Sequence, residues 1–279
     1  MSDIPSLRQK IQQEAINPNS PVSQYLFTQF GGAINSILDG LKIADSFLTP
    51  GSTSWTVTVP NFLVFMCGGG GGGGAGGSDF GAGGSGGGGA GGGGSVPIFL
   101  PMFNQTVGGS ISLTVGAGGA GGVGAPAAGA GGNGSNGGQT SFGSFLCDYG
   151  RGGAGGPWQG FATPAIGGSN ITSISGQFLT SGGNGGDSGI PSGVSGQRNI
   201  YALGGVNGSI VGYNGPGGGG GAGFLSGGNG GDSSAGVFNP ITGGDAAANS
   251  GAGGGGSGGA QSTSRGGNGG SGFVYILYF

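Results

Sequence analysis

The sequence predicts a mostly irregular and β fold: a sandwich of packed polyglycine-II helices with a small β element, preceded by an N-terminal α-helical region. Three observations lead to this prediction. Glycine accounts for 85 of the 279 residues, whereas about 7% is usual in proteins. The glycines stand in runs in which a larger residue returns at every third position. Short apolar segments with the pattern of β-strands separate the runs.

The N-terminal region, residues 1–50, has a helical pattern. Apolar residues recur there at intervals of three and four, which predicts an amphipathic helix. A single amphipathic helix cannot bury its apolar stripe on itself. We therefore expect residues 1–50 to attach the chain to another protein or to copies of itself, with packing onto the rest of the chain as the alternative. The predicted attachment face consists of Val22, Leu26, Phe30, Ile34, Ile37, Leu41 and Leu48.

The predicted glycine-rich domain spans residues 54–279 and contains the β element. In "SWTVTVPNFLVFM", alternating apolar and polar residues precede a continuous apolar run, which is typical of a strand buried on both faces. A strand at the C-terminus would tie down that end of the chain, which indicates an ordered structure. The four predicted strands lie near residues 54–66, 96–103, 110–115 and 272–279.

The three-residue period of the glycine runs fits neither the α-helix nor the β-strand. It fits polyproline-II geometry, which has 3 residues per turn and no internal hydrogen bonds. Because buried backbone groups need partners, we expect N–H to C=O bonds between neighbouring helices, together with close Cα–H···O contacts. Runs without side chains at the third position, such as Gly68–Gly74 and Gly217–Gly221, should be central. The two copies of "SGGNGGDS" (181–188 and 226–233) should be peripheral.

Disorder, a flexible linker and a collagen triple helix are the competing interpretations of the glycine runs. Charged residues are only 5% of the chain, whereas disordered chains are usually rich in charge. Collagen needs three chains and long, proline-rich repeats, but these runs are short and nearly free of proline. A flexible linker does not usually return to one register between hydrophobic strands. Packed glycine helices are therefore the preferred interpretation.

An ordered set of motifs runs through the domain: "SWTVTVP", "GGGGGGGAGG", "GGSISLTVGAGGAGG", "GGQTSFGS" and "GGNGGSGFVYILYF". This order resembles the glycine-rich domain at the ends of many phage tail-fibre and related virion proteins, over about residues 54–279. The architecture is similar to the glycine-helix sandwich of T-even-type phage tail-fibre adhesins, in which loops at the distal end of the helices bind surface receptors. The helical N-terminus and the strand pair flanking the sandwich depart from those adhesins.

The resemblance implies an attachment protein on the virion surface, at a tail-fibre tip or a spike. Its residues 1–50 would bind other virion structural proteins, and its loops would bind a host-surface glycan or an outer-membrane protein. Self-association into a homo-oligomer is a further expectation for the N-terminal region. The alternative is a structural virion component, such as a capsid spike, decoration or minor capsid protein, that binds no receptor.

The receptor-contact candidates are aromatic residues in the loops between glycine runs. Loops on a stiff scaffold are natural recognition sites, and aromatic side chains offer a large contact area with few torsions to freeze. The alternative is that these side chains plug the ends of the sandwich as small cores. The candidates are Trp158, Phe161, Phe178, Tyr201, Tyr213 and Phe238.

Other chemistry is sparse, and we expect neither an enzyme nor a cofactor. The chain contains no histidine and only six basic residues, so His-based sites and nucleic-acid binding are not expected. No apolar stretch is long enough for a transmembrane helix. Asp187 and Asp232 occupy equivalent repeats, where they either bind Ca²⁺ or form a solvated edge. Cys67 and Cys147 are expected to be free, buried thiols.

Overall fold

The structure is a computed structural model, and it describes residues 42–77, 87–125, 129–158, 195–196, 203–208, 217–232, 242–259 and 264–278. The chain divides into two compact units, Asp45–Ile276 and a smaller one made of Met1–Ala44 with Leu277–Phe279. In the smaller unit only residues 42–44 and 277–278 are described, and all are strand residues. The larger unit contains the glycine runs.

The described residues contain eight strands and no helix. In chain order they are β1 (Lys42–Phe47), β2 (Gly51–Thr56), β3 (Phe62–Cys67), β4 (Ile98–Met102), β5 (Ser110–Val115), β6 (Thr140–Phe142), β7 (Phe145–Cys147) and β8 (Phe273–Tyr278). They form two small antiparallel sheets, one with the order β1-β8-β3-β4 and the other with the order β2-β5-β6-β7. The sheets are linked by a short apolar core.

Aromatic side chains form two clusters in this core. Trp55 of β2, Phe62 of β3 and Phe142 of β6 pack together, with ring centroids 4.9 Å apart for Trp55 and Phe62 and 6.1 Å apart for Phe62 and Phe142. A second cluster joins Phe65 to Phe273 at 5.1 Å and to Phe224 at 5.3 Å. Phe142, which lies between the two sheets, and Phe273 in the second cluster are both fully buried.

The predicted strands agree with the structure in three places. The prediction at 110–115 coincides with β5, and those at 96–103 and 272–279 contain β4 and β8. The single strand predicted at 54–66 is wrong, because β2 and β3 belong to different sheets. Pro60, which lacks an N–H, lies in the bend between them. The short strands β6 and β7 were not predicted.

The helix predicted to continue to Leu48 is also wrong at its C-terminal end. Residues 42–47 form β1, an edge strand of the first sheet. Sheet pairing overrides a local helical pattern here, because propensity is only a weak prior against tertiary context. Leu48, one member of the predicted attachment face, follows this strand and is exposed. The other members, Val22, Leu26, Phe30, Ile34, Ile37 and Leu41, lie outside the described residues.

The glycine runs are joined side by side by backbone hydrogen bonds, as expected from the sequence. Successive N–H groups of the run 68–77 point to three neighbouring runs in turn. Gly69, Gly72 and Ala75 donate to run 131–138, Gly70 and Gly73 donate to run 264–272, and Gly71, Gly74 and Gly77 donate to run 87–95, all at 2.7–2.9 Å. The hydrogen-bond pattern therefore repeats every three residues.

The carbonyl groups of the run 68–77 accept hydrogen bonds from three further runs with the same period. Their donors are Gly150, Gly153 and Gly156 in run 150–157, Gly119 and Gly122 in run 116–124, and Gly254 and Ser257 in run 250–259. The run is thus surrounded by six others, and each of the six also bonds to the next around the ring. Every residue of the run is buried.

The run 250–259 is enclosed in the same way. Its backbone bonds to runs 68–77, 87–95, 217–223, 226–232, 242–247 and 264–272. Residues 217–223 are also entirely buried, whereas Ser226, Asn229 and Asp232 are exposed at every third position of their run. The predicted division into central runs without side chains and peripheral runs with Asn and Asp is therefore confirmed for the described residues.

Candidate functional site

The two ends of the glycine array differ in character. At one end, which we call the sheet end, the runs continue directly into strands: Gly68 follows β3, Gly116 follows β5 and Gly272 precedes β8. At the opposite end, which we call the free end, Gly77 N–H donates to Gly87 O at 2.8 Å and Gly87 N–H donates to Pro157 O at 3.1 Å. The described runs 68–77, 87–95 and 150–157 therefore each have one end at the free end.

The sheet end is held by polar side chains that satisfy the first backbone groups of the runs. Ser95 Oγ accepts from Gly68 N–H at 3.0 Å and donates to Asp148 O at 2.5 Å. Thr140 Oγ1 accepts from Gly116 N–H at 3.0 Å and donates to Cys67 O at 2.7 Å. Both hydroxyls are buried. These contacts join sheet to array and make the sheet end a structural junction.

The two thiols lie at this junction, and both are free and buried, as expected from the sequence. The Cys147 thiol donates to Val96 O at 3.0 Å. Burial raises the pKa of Cys147 to about 12, although a hydrogen bond with Ser95 opposes the shift. Burial also raises the pKa of Cys67 well above its ordinary range, with Cys147 adding to the effect. Such thiols are protonated at neutral pH and poor nucleophiles.

Of the aromatic receptor-contact candidates, Trp158 is the one that the structure describes. It directly follows Pro157 at the free end and is 42% exposed, so it does not plug the array as a buried core residue. Phe161, Phe178, Tyr201, Tyr213 and Phe238 lie outside the described residues. The prediction that these residues form one contact surface stays a prediction.

Asparagine side chains on the peripheral runs hold backbone N–H groups of neighbouring runs. Asn136 Oδ1 accepts from Gly152 N–H at 3.0 Å, and Asn133 Oδ1 accepts from Gly155 N–H at 2.8 Å. Asn268 does the same for Gly121 at 3.1 Å. An amide oxygen thus replaces the carbonyl that a further run would have supplied.

This role goes beyond the peripheral position that the sequence predicts for Asn-bearing runs. The signal was in the sequence, because Asn133 and Asn136 are three residues apart in a glycine run. Sequence reasoning missed it because the partner glycines, Gly155 and Gly152, belong to another run. The register between runs is a tertiary property.

No metal centre is evident among the described residues, since no three His, Cys, Asp or Glu side chains are grouped there. Asp232 is exposed at the end of its run, and Asp187 lies outside the described part of the chain. The same described residues contain no helix that is long and apolar enough to cross a bilayer. For the two aspartates, the Ca²⁺ site and the solvated edge both stay predictions.

Comparison with known protein families agrees with the glycine-rich composition of the chain. No curated protein matches the chain. The family described as the glycine-rich domain matches residues 48–279, which is well over half of the sequence. Its match begins before β2 and ends with the last residue, so it includes all the glycine runs and seven of the eight strands. The chain therefore belongs to the glycine-rich domain family.

Proposed function

We propose that the glycine runs are polyglycine-II helices packed in a hexagonal array. Three findings support this. The hydrogen bonds repeat every three residues, which matches a helix with 3 residues per turn. Two runs, 68–77 and 250–259, each have six bonded neighbours, which a β-sheet cannot provide. Among the described glycines of the runs, Gly251 alone has a φ in the positive region. A crystal structure should show φ near −75° and ψ near +145°, and extended β angles would contradict the proposal.

We further propose that this array is the rigid tip of a virion attachment protein that binds a host-surface receptor. The observation that carries the proposal is the difference between the two ends of the array. The sheet end is closed by a buried junction, whereas the runs 68–77, 87–95 and 150–157 all end together at the free end. Several run ends held side by side on a rigid scaffold suit recognition, because segments connected to such a scaffold are natural binding sites.

The other parts of the function follow from the same proposal. Residues 1–41 would form an α-helical region that holds the protein to other virion proteins, and the strand at 42–47 follows that region. The exposed Trp158 would be one receptor contact, joined by Phe161, Phe178, Tyr201, Tyr213 and Phe238. The protein would lie on the virion surface and would carry no catalytic activity.

Adsorption to host cells tests the attachment function. Purified full-length protein should bind cells of a strain on which the encoding virus grows, and it should block infection by competition. Trp158→Ala should weaken adsorption while leaving the unfolding temperature unchanged, because the side chain is exposed. Ala120→Ser, a substitution at another exposed position, serves as the matched control. Failure of the wild-type protein to adsorb would contradict the proposal.

Immunogold labelling of virions separates attachment from the structural alternative. Antibodies against the chain should label a tail-fibre tip or spike if the protein is an attachment protein. Labelling spread over the capsid, combined with no adsorption of the purified protein, would instead favour a decoration or minor capsid protein. Deletion of residues 1–41 should abolish incorporation into virions, and normal incorporation would contradict the role of that region.

A further inference from the structure

A strip of amide groups runs along the surface where runs 131–138 and 150–157 lie side by side. It contains Asn133, Asn136 and Gln139, which are three residues apart and exposed. We call these three residues the amide strip. The backbone beside it is joined by bonds from Gly131, Gly134 and Gly137 to the run 150–157, each 2.9 Å long. The backbone that carries the amide strip is therefore held in place by regular hydrogen bonds to the neighbouring run.

The two asparagines of the strip are fixed in orientation. Their Oδ1 atoms accept from Gly155 N–H and Gly152 N–H at 2.8 Å and 3.0 Å. With the oxygen engaged, the two N–H bonds of each amide nitrogen face away from that contact. No protein acceptor bonds to Nδ2 of Asn133 or Asn136 within the described part of the chain. Within that part, each residue thus offers donors without a protein partner.

Aromatic residues flank the amide strip. Gly152 and Gly155, which lie opposite Asn136 and Asn133, are three residues apart in their run. Tyr149 lies three residues before Gly152, and Trp158 lies three residues after Gly155. Tyr149 is half-buried and Trp158 is 42% exposed. At a rise of about 3.1 Å per residue, Tyr149 and Trp158 stand about 28 Å apart along the run. The surface thus has an aromatic residue near each end and fixed donors between.

The charge on this surface is low. Arg151 is the exposed cation on the neighbouring run, and the Asp148 carboxylate is nearly buried and accepts from Gln139 Nε2 at 2.7 Å. One cation is too few for a polyanion such as a nucleic acid, which needs a basic face. Among the described residues this surface is polar and has no central apolar patch, so it lacks the desolvated centre typical of protein-binding hot spots.

We propose that the amide strip, together with Tyr149 and Trp158, binds a neutral linear glycan of the host surface. Sugar hydroxyls accept hydrogen bonds from the fixed amide nitrogens, and the apolar C–H faces of sugar rings pack on the amphipathic aromatic rings. Because the donors are already ordered, binding costs little side-chain entropy. This inference rests on the proposed attachment function and deepens it by naming the receptor class and placing its site on the side of the array.

The test separates the structural role of the asparagines from the proposed binding role. In the double variant Asn133→Asp and Asn136→Asp, a carboxylate oxygen still accepts from each glycine N–H, but the outward donors are gone. Asn229→Asp is the matched control, because Asn229 Oδ1 accepts from Val206 N–H at 3.1 Å on a different pair of runs. Both variants should keep the wild-type unfolding temperature.

Binding is measured with the full-length protein on a printed panel of neutral linear oligosaccharides built from hexoses and N-acetylhexosamines. The best binder is then titrated by calorimetry and by protection of Trp158 fluorescence from acrylamide, since Trp55 is buried. We expect wild type and Asn229→Asp to bind equally. The double variant should bind about four- to hundredfold more weakly, because each of the two lost hydrogen bonds is worth about two- to tenfold. Trp158→Ala should show a similar loss.

Three results would overturn the inference. They are no binding by any oligosaccharide of the panel, unchanged binding by the double variant, and an equal loss in the control. In one such result, the double variant no longer adsorbs to cells and no oligosaccharide binds the wild-type protein. That result would assign the amide strip to a protein partner and overturn the glycan inference. If the wild-type protein adsorbs to cells but binds no glycan, the attachment function stands and the glycan inference fails. Glycan binding through the strip without cell adsorption would support the glycan site and contradict the attachment function.

Discussion

The sheets and the glycine array of this protein are stabilised in opposite ways. Around Phe142, the structure depends on large apolar side chains that fill the space between two sheets. Around Gly72, it depends on the lack of side chains: the Gly72 N–H donates to Ser135 O and its carbonyl accepts from Gly153 N–H, both at 2.9 Å. Burial of apolar surface supports the first region, and hydrogen-bonded, closely packed backbone supports the second.

The difference shows how a chain so rich in glycine can be ordered. Glycine loses more backbone freedom on folding than other residues, and a single polyproline-II helix has no internal hydrogen bonds to compensate. In the runs 68–77 and 250–259, the N–H and C=O groups that point sideways find partners in six neighbours. The compensation is collective, so no run would be stable without the others.

The strongest test of this comparison is Gly72→Ala, for which we expect the largest effect. A Cβ on Gly72 would lie closer than 3.0 Å to the carbonyl oxygen of Ala120, and the surrounding atoms are backbone that cannot rotate away. Overpacking usually costs about 1–3 kcal/mol, and here we expect more than about 4 kcal/mol. Urea unfolding measures the change.

The control for Gly72→Ala is Ala120→Ser, which also adds one heavy atom, but at an exposed position of the neighbouring run. It should change the free energy of unfolding by less than about 0.5 kcal/mol. Equal stability of Gly72→Ala and wild type would show that the array does not depend on bare backbone.

In the sheets, the expected damage comes from removing a side chain. Phe142→Ala should cost about 3–5 kcal/mol, since it leaves a cavity between Trp55 and Phe62. Phe145 pairs with Phe142 across the β6–β7 hairpin but is 41% exposed, so Phe145→Ala should cost much less. Similar losses in the two variants, measured by urea unfolding, would contradict the assignment of the buried Phe142, and not the exposed Phe145, to the core.

A smaller effect is expected at the edge of the array. Asn136→Ala removes the acceptor of Gly152 N–H, which should cost about 0.5–1.5 kcal/mol. Hydrogen exchange at the Gly152 amide should accelerate, and Asn136→Asp should restore its protection because a carboxylate oxygen can accept the same bond. Unchanged exchange in Asn136→Ala would show that the asparagine only decorates the edge.

The thiols at the sheet end give an effect that is absent at neutral pH. The pKa of Cys147 is raised from its ordinary value of 9.0 to about 12, so in the unfolded chain this thiol ionises first. Its contribution to stability is therefore complete below pH 9.0 and is lost as the pH rises towards 12. The free energy of unfolding, measured by urea titration, should fall across that range, and less steeply in Cys147→Ala. An equal slope in the two proteins would show that Cys147 does not contribute.

Several strands could be predicted from the sequence because their signals are local. The alternation in "SISLTV" defines β5 at 110–115, and the apolar run before Phe279 contains β8. β1 was not predictable in this way, because the spacing of Leu41, Ala44 and Leu48 also suits a helix, and pairing in a sheet decides between the two. The strands β6 and β7 have three residues each, which is too short for a period to be recognised.

The candidate site was predicted less completely than the fold. The sequence singled out Trp158 as a receptor-contact candidate, and it gave no prediction for Asn133 and Asn136. Their importance depends on Gly152 and Gly155, which belong to a run about twenty residues away in sequence and become neighbours only through the register of the array. Periodicity reports on one run at a time and contains no information about which run lies beside it.

By itself, the sequence determined that glycine runs with a period of three would bond sideways, and that runs without side chains would be central. The physical reason is local: a chain with no internal hydrogen bonds must bond laterally, and bare backbone alone can be approached from all sides. Tertiary structure decided which runs are neighbours and where each Asn finds its glycine. It also decided that 42–47 is a strand, because partners and register arise only when distant segments pack together.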